Sequence, residues 1–232
     1  MDALFPGGRV SAARFLGLAV VLAVLWAFWD TRFVYPLRIL VTFLHEGSHG
    51  LAAVLTGGSI DRITVAADGS GLCFTRGGWR SLVIPAGYLG SMAWGSLILV
   101  LALRTRLGKA VSLAFGLGLV AVTVVYVRSW FGFASGLALG AALASAGRWL
   151  PEEAAQALLT LVGSASCLYA LFDLRHLASL GRGANDAASF SAEVLPLPPV
   201  VWAVLWAAMA LVCLAASLKF ALSQGRRPGS GS

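Results

Sequence analysis

Charge is scarce in this sequence. Only 12% of its 232 residues are Asp, Glu, Lys or Arg, about half the share of an ordinary soluble domain. The few charges sit between long apolar runs rather than within them. With 59% of residues hydrophobic and a mean hydropathy of +0.84, a soluble fold could not hide the apolar surface, and a bilayer is the solvent that accepts it. Cysteine is sparse too. Cys73, Cys167 and Cys213 are far apart, odd in number and without a CxxC pair, which excludes a disulfide framework and a cysteine-built metal site; they read as small apolar residues. The net charge of +7 comes from dispersed basic residues that never cluster with aromatics. Nucleic-acid binding is therefore set aside in favour of contact with anionic lipid headgroups. No internal repeat is evident, which argues against an inverted-repeat transporter. The first apolar run ends in Trp29, Asp30, Thr31 and Arg32 without a small-x-small cleavage site, so it reads as a retained membrane helix rather than a secretory signal.

What is present is a series of apolar segments near 14–30, 33–56, 81–103, 109–127, 130–147, 153–173 and 198–222. A helix needs about 20 apolar residues to span the hydrocarbon core. The expectation is an all-α integral membrane protein with about six to seven transmembrane helices, forming a single polytopic domain over 1–225 with a flexible tail over 226–232. Trp26, Trp29, Trp79, Trp130 and Trp149 fall near the ends of the runs, where an aromatic belt places them. Lys and Arg divide almost evenly between the two sides, so charge does not orient the chain. Two stretches break the helical pattern. Residues 58–78 place Ile60, Ile63, Thr64 and Val65 before the turn signal Asp68-Gly69-Ser70-Gly71 and then Leu72, Cys73, Phe74 and Thr75, a β-hairpin. Residues 175–197 are small and polar and read as a loop, with Pro198 and Pro199 opening the last helix.

The second apolar segment contains His45, Glu46, Gly47, Ser48 and His49. Residues four apart share one helix face, so both imidazoles can reach one zinc ion. Glu46 stands beside the metal rather than on it, where it can take a proton from zinc-bound water and return it to a leaving amine. The chain has only three histidines, and three ionisable groups within five membrane positions are costly to keep as packing alone. The expectation is one zinc per chain, with His45 and His49 as ligands and Glu46 as catalytic base.

A catalytic zinc takes a third protein ligand and keeps one open position. Asp173 is the favoured candidate because it closes a long apolar run. His176, three residues on, can act as ligand or as partner to one. Asp186 serves if its loop folds back. Arg128 can stabilise an oxyanion, although an Arg at such a place more often snorkels to the headgroups.

The HExxH residues on a membrane helix, followed at once by a hairpin, resemble the site-2 protease family of intramembrane zinc metallopeptidases. Pro85-Ala86-Gly87-Tyr88-Leu89-Gly90-Ser91 looks like the helix start that follows the hairpin in that family's short bacterial branch. Phe172-Asp173-Leu174, Asn185-Asp186-Ala187, Pro199 and Trp202 are also similar to that branch. The resemblance implies regulated intramembrane proteolysis in a bacterial inner membrane. The implied substrate is a single-span membrane protein such as an anti-sigma factor. By the same resemblance His45, His49 and the late aspartate Asp173 hold the metal, and Glu46 is catalytic.

Peptide hydrolysis in a membrane also needs an extended substrate, and the edge of the hairpin can hold one by strand pairing. Gly87, Ser91 and Gly95 form a stripe suited to close helix packing, expected against the Gly47, Ser48 and Gly50 side of the motif helix. Gly136 and Gly140 form a second. Two other functions fit the same residues: a non-catalytic metal-binding scaffold of this fold, and a proton-coupled carrier with Glu46, Asp173 and His176 as a relay.

Overall fold

The computed structural model describes residues 12–180 and 185–222; the side chains at 12–15, 170, 173–180 and 222 lie outside that description. Helix α1 (Ala12–Phe28) leads to α2 (Tyr35–Leu55), the hairpin strands β1 (Ser59–Val65) and β2 (Gly71–Arg76), and a one-turn helix α3 (Arg80–Val83). Then come α4 (Ala86–Arg104), α5 (Gly108–Tyr126), α6 (Trp130–Trp149), α7 (Glu152–Leu180), α8 (Asp186–Glu193) and α9 (Pro199–Leu222). The helical membrane fold and the hairpin are as the sequence implies.

The span count differs. By length and composition four described helices, α4, α5, α6 and α9, are long and apolar enough to cross a membrane, fewer than the six to seven expected. Helix α1 has 17 residues, fewer than the about 20 that span the hydrocarbon core. Helix α2 carries Arg38, His45, Glu46 and His49, and α7 opens on Glu152 and Glu153. Residues 175–197 differ as well. No Gly or Pro intervenes before Gly181, so α7 continues to Leu180, and α8 lies where a loop was expected.

Small residues let the helices approach. Gly116 of α5 lies against Gly140 and Ala144 of α6, and Gly136 lies against Thr123, so the Gly136/Gly140 stripe serves packing. Gly95 of α4 meets Gly163 and Cys167 of α7, and the Ser166 hydroxyl donates to the Ser91 carbonyl at 2.6 Å. The Gly87 stripe is therefore divided: Gly87 and Gly90 face α2, while Ser91 and Gly95 face α7. Trp29 stacks on Phe172 at 4.0 Å between ring centres, which seats α1 on α7.

The hairpin lies along α2 and is tied to it at both ends. At the turn, the Tyr35 hydroxyl donates to Ala67 O at 2.6 Å and the Thr42 hydroxyl donates to Gly69 O at 2.9 Å. Gly69 adopts φ +92° there, a conformation that favours glycine. The Ser70 amide and hydroxyl both donate to Asp68 and hold its carboxyl below the usual range. At the base, the Trp79 amide donates to the Thr56 hydroxyl at 3.0 Å. Ile63 and Val65 of β1 pack with Ile39 and Phe43 of α2 and with Val127. The outer edge of β1 is occupied. Arg128 N–H donates to Ile63 O at 2.9 Å, and Ser129 bonds both the amide and the carbonyl of Val65. The opposite edge of β2 has no strand partner among the described residues.

Candidate metal centre

His45, Glu46 and His49 are all buried on α2. The helical repeat brings the two Nε2 atoms to 3.2 Å from each other. Asp186, the first residue of α8, meets them from across the fold, with Oδ2 at 3.0 Å from His45 Nε2 and 3.2 Å from His49 Nε2. Zinc–nitrogen bonds of about 2.0–2.1 Å in a tetrahedron separate ligand atoms by about 3.3 Å, so the three spacings fit one ion. The donor chemistry agrees. Two imidazole nitrogens and a carboxylate oxygen converge on one point, a donor set that a shared cation suits. His49 Nδ1 donates to Val83 O at 2.7 Å. That bond leaves the Nε2 lone pair free for a metal and fixes the ring's orientation. The His45 ring is held by edge contacts with Tyr88 and Tyr169, at 5.0 and 5.3 Å between centres.

Gly87 explains the open space between the ligands. A Cβ at that position would collide with both Nε2 atoms. Gly71 does the same for Glu46: a Cβ there would lie 2.6 Å from its Oε1. The hairpin backbone thus presses directly on Glu46, and the Cys73 N–H lies within electrostatic reach of its carboxylate. Glu46 is beside the ligand cluster and not within it, as its position in the motif implies.

Asp186 is placed by the construction of α8. The Asn185 side chain caps the helix, accepting from the Ala188 amide at 2.9 Å. Ala187, Phe190 and Val194 pack against Ile84, Tyr88 and Met92 and against Trp202, Trp206 and Ala210 of α9. At the far end Arg80 forms a two-pronged pair with Glu193, which holds the Glu193 carboxyl below its ordinary range. A cavity of about 330 Å³ opens onto the cluster, lined by Glu46, Cys73, Thr75, Arg80, Tyr169 and Asn185 among others. The other face of α2 borders a separate apolar cavity of about 390 Å³, with Leu40, Phe43 and Leu44 in its wall.

Of the residues expected at the site, the structure brings together His45, His49 and Asp186, with Glu46 alongside. The side chains of Asp173 and His176 lie outside the described residues. Arg128 turns to the end of α5, where its guanidinium donates to the carbonyls of Val125 and Val127 at 2.6 and 2.8 Å. Three contributors were not singled out from sequence as parts of a site: the Val83 carbonyl, the Arg80–Glu193 pair and Tyr169.

The family model described as Peptidase M50B-like matches residues 18–217. The chain belongs to this family, the site-2 protease family. No curated protein and no solved structure matches it significantly. Family membership and the apolar helices make it an integral membrane protein of a peptidase family, and its His-His-Asp group lies where the HExxH motif of such a peptidase would hold its metal.

Proposed function

We propose that this chain is an intramembrane zinc metalloprotease that cuts a single-span membrane protein, of the anti-sigma-factor or tethered-regulator kind, in a bacterial cytoplasmic membrane. The observation that carries the reading is the approach of His45, His49 and Asp186 to within 3.0–3.2 Å of one another beside a buried glutamate. Zinc held by these three residues would supply Lewis-acid activation of water and polarisation of the scissile carbonyl. Glu46 takes the proton of the attacking water and returns it to the leaving amine. The close approach of Gly71, with the Cys73 N–H within electrostatic reach, keeps it turned to the site. His49 is held in the ligating tautomer by Val83 O. The edge of β2 that has no strand partner among the described residues, which borders the cavity at Cys73 and Thr75, offers backbone groups to an unwound substrate segment, so that cleavage occurs in an extended strand. Asp186 takes the third ligand position in this reading, in preference to Asp173.

The test is zinc content per chain together with cleavage of a single-span reporter in proteoliposomes. Wild type is expected to hold one zinc and to cleave. Glu46→Gln is expected to hold the same zinc and to lose about 100-fold or more in rate, the usual weight of a general base. Wild type that holds no zinc under zinc-replete conditions would overturn the reading. Tight zinc binding with no cleavage that depends on Glu46 would make the chain a metal-binding scaffold.

A further inference from the structure

The one-turn helix α3 touches the site twice. Its last residue, Val83, supplies the carbonyl that accepts from His49 Nδ1 at 2.7 Å. Its first residue, Arg80, donates from Nε to Glu193 Oε2 at 2.6 Å and from Nη2 to Oε1 at 2.8 Å. Glu193 is the last residue of α8, and Asp186 is the first. A helix of that length spans about 12 Å, so the pair grips α8 at the end remote from the carboxylate that meets the histidines.

Apolar contact alone leaves such a helix poorly fixed. Eight residues are too few to be helical by themselves, and hydrophobic contact is non-directional. The Ala187, Phe190 and Val194 face holds α8 down and sets which side turns inward, but does not fix where its far end lies along that contact. A planar fork on a carboxylate does fix it. The Asn185 cap defines where α8 starts, while Arg80 defines where its far end points. Arg80 also borders the site cavity and lies within electrostatic range of Asp186.

We infer that Arg80 and Glu193 are a positioning pair for the third ligand, and that α3 thereby sets the placement of both His49 and Asp186. The inference rests on the metal-site reading above. Both partners are partly exposed, and exposed ion pairs contribute little to global stability. The pair's role is placement, and its signature is local.

The experiment uses the full chain in detergent. Zinc affinity is read by chelator competition, and hydrogen exchange of the amides over 188–193 is read in metal-free protein. Arg80→Ala and Glu193→Ala are expected to bind zinc about 3- to 10-fold more weakly, below the loss typical of a residue bonded directly to a ligand, and to exchange faster in α8. The reversed pair, Arg80→Glu with Glu193→Arg, is expected to recover most of both. Arg76→Ala, which breaks the comparable Arg76–Asp61 pair on the hairpin, is expected to match wild type. Arg80→Lys keeps the charge and loses the fork; it is expected to fall between wild type and Arg80→Ala, and it tests the pair even if the alanine variants do not fold. Wild-type affinity and exchange in the single variants would overturn the inference, as would a reversed pair no better than the singles. A wild type that holds no zinc defeats the functional reading instead, and the exchange measurement still judges the pair.

Discussion

Helices α2 and α8 bring donor atoms to the same point by different means. On α2 the geometry is local. His45 and His49 are one turn apart, the helix is buried along this face, and the hairpin is tied to it near both ends. On α8 the geometry is borrowed. Asp186 reaches the histidines across 141 residues of sequence, from a short helix held by a cap, an apolar face and an ion pair. A ligand pair fixed by helical repeat survives change elsewhere in the fold, whereas a ligand on a docked element depends on every contact of that element. The same difference separates binding from assembly: α2 can offer two nitrogens by itself, and the third donor arrives only when α8 is seated.

The sharpest way to break this comparison is at the ligands. His45→Ala is expected to abolish zinc binding. Asp186→Ala, which leaves the two-histidine pair intact, is expected to weaken it by about 100-fold or more, a loss of the order that metal-ligand chemistry implies. Asp173→Ala is expected to retain zinc near the wild-type level. Zinc per chain after dialysis against a weak chelator separates the two aspartates. Retention in Asp186→Ala with loss in Asp173→Ala would move the third ligand to α7 and make α8 a bystander.

Two glycines test the site from within. Gly87→Ala puts a methyl group onto both ligating nitrogens, so zinc loss is expected even though no ligand has been removed. Gly71→Ala crowds Glu46 and Thr42 instead. There the zinc is expected to stay while cleavage falls by about 10-fold or more, because a displaced base loses much of its effect. Metal analysis beside a rate measurement distinguishes the two. If both variants lose zinc alike, the hairpin supports the metal site and not the base alone.

How far the sequence reveals this site follows from the same contrast. His45, Glu46 and His49 are legible because their relation depends only on the 3.6-residue repeat. The hairpin is legible from its β-branched residues and the turn at Asp68-Gly69. Asp186 sits in a stretch whose small polar composition reads as loop, and its approach to α2 is a tertiary fact. A local signal did exist: Asn185 is a strong helix-capping residue, and Ala187, Phe190 and Val194 follow at helical spacing. Asp173 ends an apolar run in the sequence, which speaks to membrane depth and not to which face of the bundle it joins. The Val83 carbonyl and the Arg80–Glu193 pair have no local signature, since each depends on where α3 comes to rest. The four described spans are a little below the six to seven expected, and α2 shows one reason. A hydropathy window over the sequence accepts α2 for its apolar residues, but the Arg38, His45, Glu46 and His49 that it carries keep it from qualifying as a plain membrane span.

The smallest expected effect is at the cap of α8. Helix α2 begins with Pro36 in its first turn and no side-chain cap, and its stability comes from burial along its length. Helix α8 depends on Asn185, whose side chain satisfies the Ala188 amide. Asn185→Ala is expected to destabilise α8 by about 1 kcal/mol, the usual cost of losing such a cap, with little change in the unfolding of the whole protein. Because Asp186 moves with the start of α8, that cost is expected to reappear as about fivefold weaker zinc binding, while Asn185→Ser, which restores a capping oxygen, returns it close to wild type. Hydrogen exchange over α8 and chelator competition measure the two sides of this link. If exchange quickens in α8 and zinc affinity does not change, Asp186 is held by its contact with the histidines rather than by its helix, and the dependence drawn here between docking and ligation would run the other way.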